Sequence, residues 1–236
     1  EAAKAEPGNK MRAFYNTVLG ENYSESAIAM PSIQQLLSRM ADGRLVYPRG
    51  KSPQPILYAT VGVDVQQDRL EIEVVGWAKD KINFSIDYYQ LYGDPALLHD
   101  EAGCWAQLNK LLNIIESQGI LCVCLIDAGN KPDQIYNYIS DFCPNQWTFP
   151  IMGEAPLHGE WPYKKRPVSG YANMLRLHLN TPYFKRCFMQ DAFRPMPEDG
   201  SLPERYVGLP IDYPKEHQER LFCSERQEIV RVNGIE

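Results

Sequence analysis

The chain has 236 residues, of which 44% are hydrophobic, 23% charged and 11% aromatic, ample apolar material for a buried core. That composition excludes a disordered tail, a coiled coil and a collagen-like fibre, and no apolar run reaches the ~20 residues a membrane helix needs. A formal net charge of −6 excludes a global basic field, so contact with nucleic acid must be local or assisted by metal ions.

Residues 1–55 read as a linker or appendage. Glu1–Asn9 is polar, turn chemistry surrounds Gly20, and Ile33, Leu36, Leu37 and Met40 have the spacing of one helix face. A break at Asp42-Gly43 leads to Tyr47–Pro55, an extended connector with three prolines. The chain begins without Met and ends abruptly at Glu236, so a fragment is expected, truncated at its C-terminus.

From Leu57 the pattern sharpens. Leu57–Val65 (LYATVGVDV) is almost continuously apolar, as expected of a central strand. After the polar break Gln66-Gln67-Asp68, Arg69–Trp77 alternates Leu70, Ile72 and Val74 against Glu71 and Glu73, giving a hairpin partner whose glutamates face solvent. Asn83–Tyr92 alternates Phe84, Ile86 and Tyr88 and makes a third strand. Asp100–Gln118 follows as a helix with the stripe Trp105, Leu108, Leu111, Leu112, Ile115, ended by Gly119. Leu121–Ile126 (LCVCLI) is a short apolar strand closed by Asp127. Pro132 opens another helix, burying Ile135, Tyr138, Ile139 and Phe142, and Trp147–Met152 is a fifth strand.

Three antiparallel strands, then helix, strand, helix, strand, is the order of a ribonuclease H-like mixed α/β sheet: a meander extended by helical crossovers and flanked by helices. The nuclease-like domain is assigned to residues 56–236. Cys104, Cys122, Cys124, Cys143, Cys187 and Cys223 form no CxxC pair, and His99, His158, His178 and His217 are scattered, so neither a zinc site nor a disulfide framework is expected. No GxxxxGK[ST] phosphate loop occurs.

Asp64 and Asp127 carry the chemical argument. Each ends an apolar strand, where a carboxylate is costly unless it is paired or binds a cation. In the expected topology their strands are neighbours, so the two acids converge at one sheet edge. Two carboxylates there repel unless a divalent ion neutralises them, and Mg²⁺ or Mn²⁺ suits hard oxygen ligands. Two such ions would support phosphodiester hydrolysis. The competing reading makes each Asp a turn or N-cap residue. Asp68 is read as hairpin chemistry; Asp87 and Asp212 are secondary candidates for a third acid, read first as an outward strand residue and a loop residue. Lys164-Lys165-Arg166, placed in a loop after Trp161 and Tyr163, is a candidate grip on a DNA backbone or simply a solvated loop, and Lys185-Arg186 likewise.

Phe14–Tyr23 (FYNTVLGENY), Val61–Gln66 (VGVDVQ), Asp68–Glu71 with Val75–Trp77, Ile86–Tyr88 with Tyr92–Asp94, and Ile126–Gly129 together resemble, in order, the large terminase subunits of lambda-like (GpA-type) tailed phages. The resemblance implies the nuclease domain that follows a packaging ATPase and cuts concatemeric double-stranded DNA, and with the two acids above two Mg²⁺ or Mn²⁺ ions are expected. It also implies a small subunit and a portal as partners, no membrane, and action in the cytoplasm of an infected bacterium. Asp64 and Asp127 match the family's two strand-borne acids. The family's third acid, on a later helix in an Asn-Glu-x-Leu-Asp type motif, has no match before Glu236, and Asp212 matches no family acid. The alternatives are a non-catalytic DNA-gripping or portal-docking module and a ribonuclease H-like recombinase.

Overall fold

A computed structural model of the chain describes residues 46–143, 145–154, 161–214 and 216–217. The helix expected around Ile33–Met40, His158 and Cys223 lie outside them.

The framework is an eight-stranded mixed sheet. Strands β1 (Tyr58–Val65), β2 (Arg69–Trp77) and β3 (Asn83–Tyr92) form the meander, and helix α1 (Cys104–Ser117) leads to β4 (Leu121–Asp127). Helix α2 (Pro132–Asn137), continued by a π-type turn at Tyr138–Phe142, leads to β5 (Thr148–Glu154). Then follow β6 (Tyr163–Pro167), β7 (Leu175–Asn180), helix α3 (Thr181–Ala192) and a short β8 (Val207–Gly208). Across the sheet the order is β6-β7-β5-β4-β1-β2-β3-β8, with β4 parallel to β1 and β5 parallel to β4. The meander and its parallel extension are the ribonuclease H-like arrangement expected from the element order.

β1 is central but not buried on both faces. Ala59, Val61, Val63 and Val65 point into the core, whereas Tyr58, Gly62 and Asp64 on the alternate positions are exposed. Period-two alternation explains this: the apolar run includes Gly and Thr on one side, so only one face needs a covering layer. That layer is α1 and α2. Trp105, Leu108 and Leu112 of α1 and Ile135 of α2 meet Val61, Ile72, Cys124 and Ile126 in the main core. Trp105 stacks on Tyr138 with ring centroids 4.2 Å apart, and its indole N–H donates to the Pro95 carbonyl at 2.8 Å. α1 starts at Cys104 rather than Asp100, because Asp100 caps a turn by accepting from the Ala102 N–H at 3.0 Å. Gly119, at φ +73°, ends it as expected.

The segment before β1 is packed, not loose. Tyr47 is buried and donates its hydroxyl proton to the Ser85 carbonyl at 3.0 Å. Arg49 Nε reaches Asp87 Oδ1 at 2.7 Å, and the Gly50 N–H donates to the Ile86 carbonyl at 2.8 Å. Asp87 is therefore the anchor of a strap across β3, not an outward-facing strand residue. Asp212 belongs to the same strap, its Oδ1 accepting from the Arg49 N–H at 2.8 Å.

The last third of the sheet is where sequence reading falls short. Lys164, Lys165 and Arg166 are not in a loop: they form β6, an edge strand antiparallel to β7 and exposed along its whole length. Short polar strands lack the apolar alternation that marks β1 and β2, so pairing with β7 decides their structure. α3, N-capped by Asn180 accepting from the Tyr183 N–H at 3.1 Å, touches both β7 and β8. Beside it Ala192, Val207, Leu209 and Tyr213 make a second small core against Tyr88 and Phe188.

Candidate active site

Strand register places the acids. Asp64 opposes Glu71 across β1–β2, and Gly62 opposes Glu73, so all four positions share one face of the sheet. The β1–β4 ladder aligns Gly62 with Leu125 and Val63 with Ile126, which sets Asp64 and Asp127 at neighbouring strand ends on that same face. It is the face opposite α1 and α2. Continuing outward, Asp127 aligns with Ile151, Ile151 with Leu177, and Leu177 with Lys165. Of the three basic residues of β6, only Lys165 shares the face of the acids; Lys164 and Arg166 alternate to the other side.

Both aspartates are exposed, a correction to the expectation of carboxylates held at buried strand positions. The open face, rather than burial, makes them available. Each spends one oxygen locally: Asp64 Oδ2 accepts from Gln66 Nε2 at 2.6 Å, and Asp127 Oδ1 accepts from the Gly129 N–H at 2.9 Å. Asp64 Oδ1 and Asp127 Oδ2 take no hydrogen bond among the described residues. The Asp64 carboxyl is held above its ordinary range by partial desolvation, then by the charges of Asp127 and Glu71, while the Gln66 bond and Arg69 pull the other way. Asp127 and Asp64 thus feel one another electrostatically.

Glu71 and Glu73 are not a solvated face. With Asp64 and Asp127 they line a groove of about 330 Å³ floored by Gly62, Leu125 and Ile151 and flanked by Tyr88 and His217. Glu71 is held by Arg69, whose Nη2 and Nε lie 2.7 and 3.0 Å from Oε1, and by the Tyr88 hydroxyl, 2.8 Å from Oε2. Glu73 accepts from the Tyr213 hydroxyl at 3.1 Å, from Ser85 Oγ, and at Oε2 faces His217 Nε2 at 2.9 Å. The alternation of β2 carried the signal for these glutamates: once Leu70, Ile72 and Val74 are core, Glu71 and Glu73 must join the face of Asp64. His217 had no local signal, because it arrives from 144 residues away in sequence.

Two oxygens that take no hydrogen bond among the described residues, on adjacent strand ends, fit the ligand demand of Mg²⁺ or Mn²⁺, which are held by one or two carboxylates and otherwise by water and phosphate. No group of three or more His, Cys, Asp or Glu side chains gathers for a metal among the described residues. Cys122 and Cys124 face the core, fully buried, and burial pushes the Cys122 thiol up to about 12. At the other end of the sheet, Arg176 Nε donates to His178 Nε2 at 2.9 Å. His178 therefore carries its proton on Nδ1, toward Glu154, which also pairs with Arg166 at 3.6 Å. This relay ties β6 to β5 and β7.

The sheet has ribonuclease H-like order, with one carboxylate near the end of each of the neighbouring strands β1 and β4. The chain belongs to the family described as the terminase large subunit gpA endonuclease domain, whose model matches residues 1–234. It is 31% identical over 87 residues to the terminase large subunit of Enterobacteria phage P21, a match covering 37% of this chain and 13% of that relative. It is similar to the large terminase of the thermophilic bacteriophage D6E in two crystal forms. One gives a TM-score of 0.40 at 11% identity over 76% of this chain and 34% of that one. The other gives 0.33 at 12% identity over 57% and 33%. The chain thus spans a small part of the relatives it matches.

Proposed function

We propose that the chain is a Mg²⁺- or Mn²⁺-dependent endodeoxyribonuclease that cuts concatemeric double-stranded DNA during viral genome packaging. The observation that carries this is that Asp64 and Asp127 lie on one open face, at adjacent strand ends, each with an oxygen that takes no hydrogen bond among the described residues. These two residues would hold the ions, which supply charge neutralisation for phosphate and an activated water when bound. Gln66 and the Gly129 N–H hold the carboxylates in place, and Glu71 is kept occupied by Arg69 and Tyr88. Lys165, in line with Asp127 across β5 and β7, supplies positive charge to the DNA path. The domain division falls near residue 55, with residues 47–50 already strapped onto β3. The small subunit and portal complete the assembly, in the host cytoplasm.

The test is plasmid nicking by the chain with Mn²⁺. Nicking that stops with EDTA and in Asp64→Ala and Asp127→Ala supports the reading. Metal-independent DNA retention without nicking, unchanged in both variants, would leave a gripping or docking module, for which the wholly exposed basic strand β6 speaks. Joined strands among the products would instead indicate a recombinase.

A further inference from the structure

Among the described residues, the groove that must receive a polyanion is lined by four carboxylates, Asp64, Glu71, Glu73 and Asp127, and by neither Lys nor Arg. His217 is the one described lining side chain that can carry positive charge. It is 8% exposed and fixed on three sides. Its ring stacks on Tyr88 with centroids 3.7 Å apart and an interplanar angle of 15°, Tyr213 meets it edge-on at 5.0 Å, and its Nε2 lies 2.9 Å from Glu73 Oε2. The groups around it are accounted for: Tyr213 also donates to Glu73, Tyr88 donates to Glu71, and Arg49, paired with Asp87, lies 5.9 Å over the Tyr213 ring. Nδ1 takes no hydrogen bond among the described residues. A ring held this rigidly by a carboxylate at one nitrogen presents the other at a set position, at almost no further entropy cost on binding.

We infer that His217, oriented by Glu73, is a phosphate contact of this groove: its Nδ1–H donates to a non-bridging oxygen of the DNA backbone. Glu73 and the phosphate would each accept one ring N–H, so it is the imidazolium form that makes both contacts at once. The inference rests on the nuclease reading for its consequence in catalysis, but the contact itself needs no metal.

His217→Gln separates this role from folding, since the glutamine amide reaches Glu73 as Nε2 does and leaves nothing at Nδ1. Two readouts apply to the full chain. In EDTA, the ring ¹⁵N resonances of His217 should shift when a short DNA duplex is added, with the larger change at Nδ1. With Mn²⁺, His217→Gln should lose about tenfold or more in kcat/KM, the scale of one hydrogen bond to a charged group, and added imidazole should restore part of it in His217→Ala. Resonances that stay put together with a His217→Gln enzyme within twofold of the parent would overturn the contact. Shifted resonances in a chain that never nicks DNA would overturn the nuclease reading and leave the contact standing.

Discussion

Asp64 and Glu71 stand directly opposite one another across the β1–β2 ladder, yet among the described residues only Glu71 has a paired cation, Arg69. The imbalance has a readable consequence. Asp127 and then Glu71 raise the proton affinity of Asp64 through their charge. Asp127→Asn should therefore lower the Asp64 titration midpoint, and Glu71→Gln should lower it by less, as read from carboxyl ¹³C shifts in a metal-free sample. Midpoints unmoved in both variants would mean the acids are too far apart to share a cation.

Thermal stability should follow the same group. The folded chain binds the Asp64 proton more tightly than the unfolded chain, so the ionised carboxylate opposes folding above its raised pKa. The opposition fades as the pH falls through that value and is absent below the unfolded pKa. Asp64→Asn should raise Tm at pH 7 by about 1–2 °C, the modest scale of a solvent-screened charge, and leave it unchanged at pH 3. Mn²⁺ should raise the Tm of the parent at pH 7 and not that of Asp64→Asn.

Along β6, alternation makes one basic residue different from its neighbours. If Lys165 alone faces the DNA path, Lys165→Ala should weaken duplex binding and reduce the slope of log K against log salt by about 0.9. Lys164→Ala should leave both nearly unchanged. Fluorescence anisotropy across a salt series distinguishes them, and equal losses in the two variants would remove the assignment of the DNA path to the acid face.

The main core gives a prediction independent of function. Trp105→Ala removes a buried ring, its stack on Tyr138 and the donor to the Pro95 carbonyl, and should cost about 3–5 kcal/mol in urea unfolding. Trp105→Phe keeps most of the volume but orphans that carbonyl, and should cost about 1–3 kcal/mol.

The meander, α1 and β4 were legible because their apolar positions recur with clear periods: Leu70, Ile72 and Val74 every second residue, Trp105, Leu108, Leu112 and Ile115 every third or fourth. The positions of Asp64 and Asp127 on neighbouring strands followed from that order. Their exposure did not, because an apolar run does not disclose whether helices cover one face of a sheet or both. β6, β7 and α3 escaped notice since Lys164, Lys165, Arg166, Arg176 and His178 take their places through strand pairing and the His178–Glu154 relay, with no local apolar pattern. Asp87 was misread for a related reason: its partner Arg49 lies 38 residues earlier. The roles of Glu73 and His217 depend on a contact that no window of sequence contains.

Among the described residues β6 pairs only with β7, so it ends the sheet with an outer row of backbone donors and acceptors, the usual template for another chain to add itself. Three consecutive cations followed by Pro167, which has no N–H to offer, occupy that rim. Two copies approaching rim to rim would bring like charges together, so this basic rim discourages self-association. Neutralising all three at once should make the chain more prone to aggregate with rising concentration, whatever its effect on DNA.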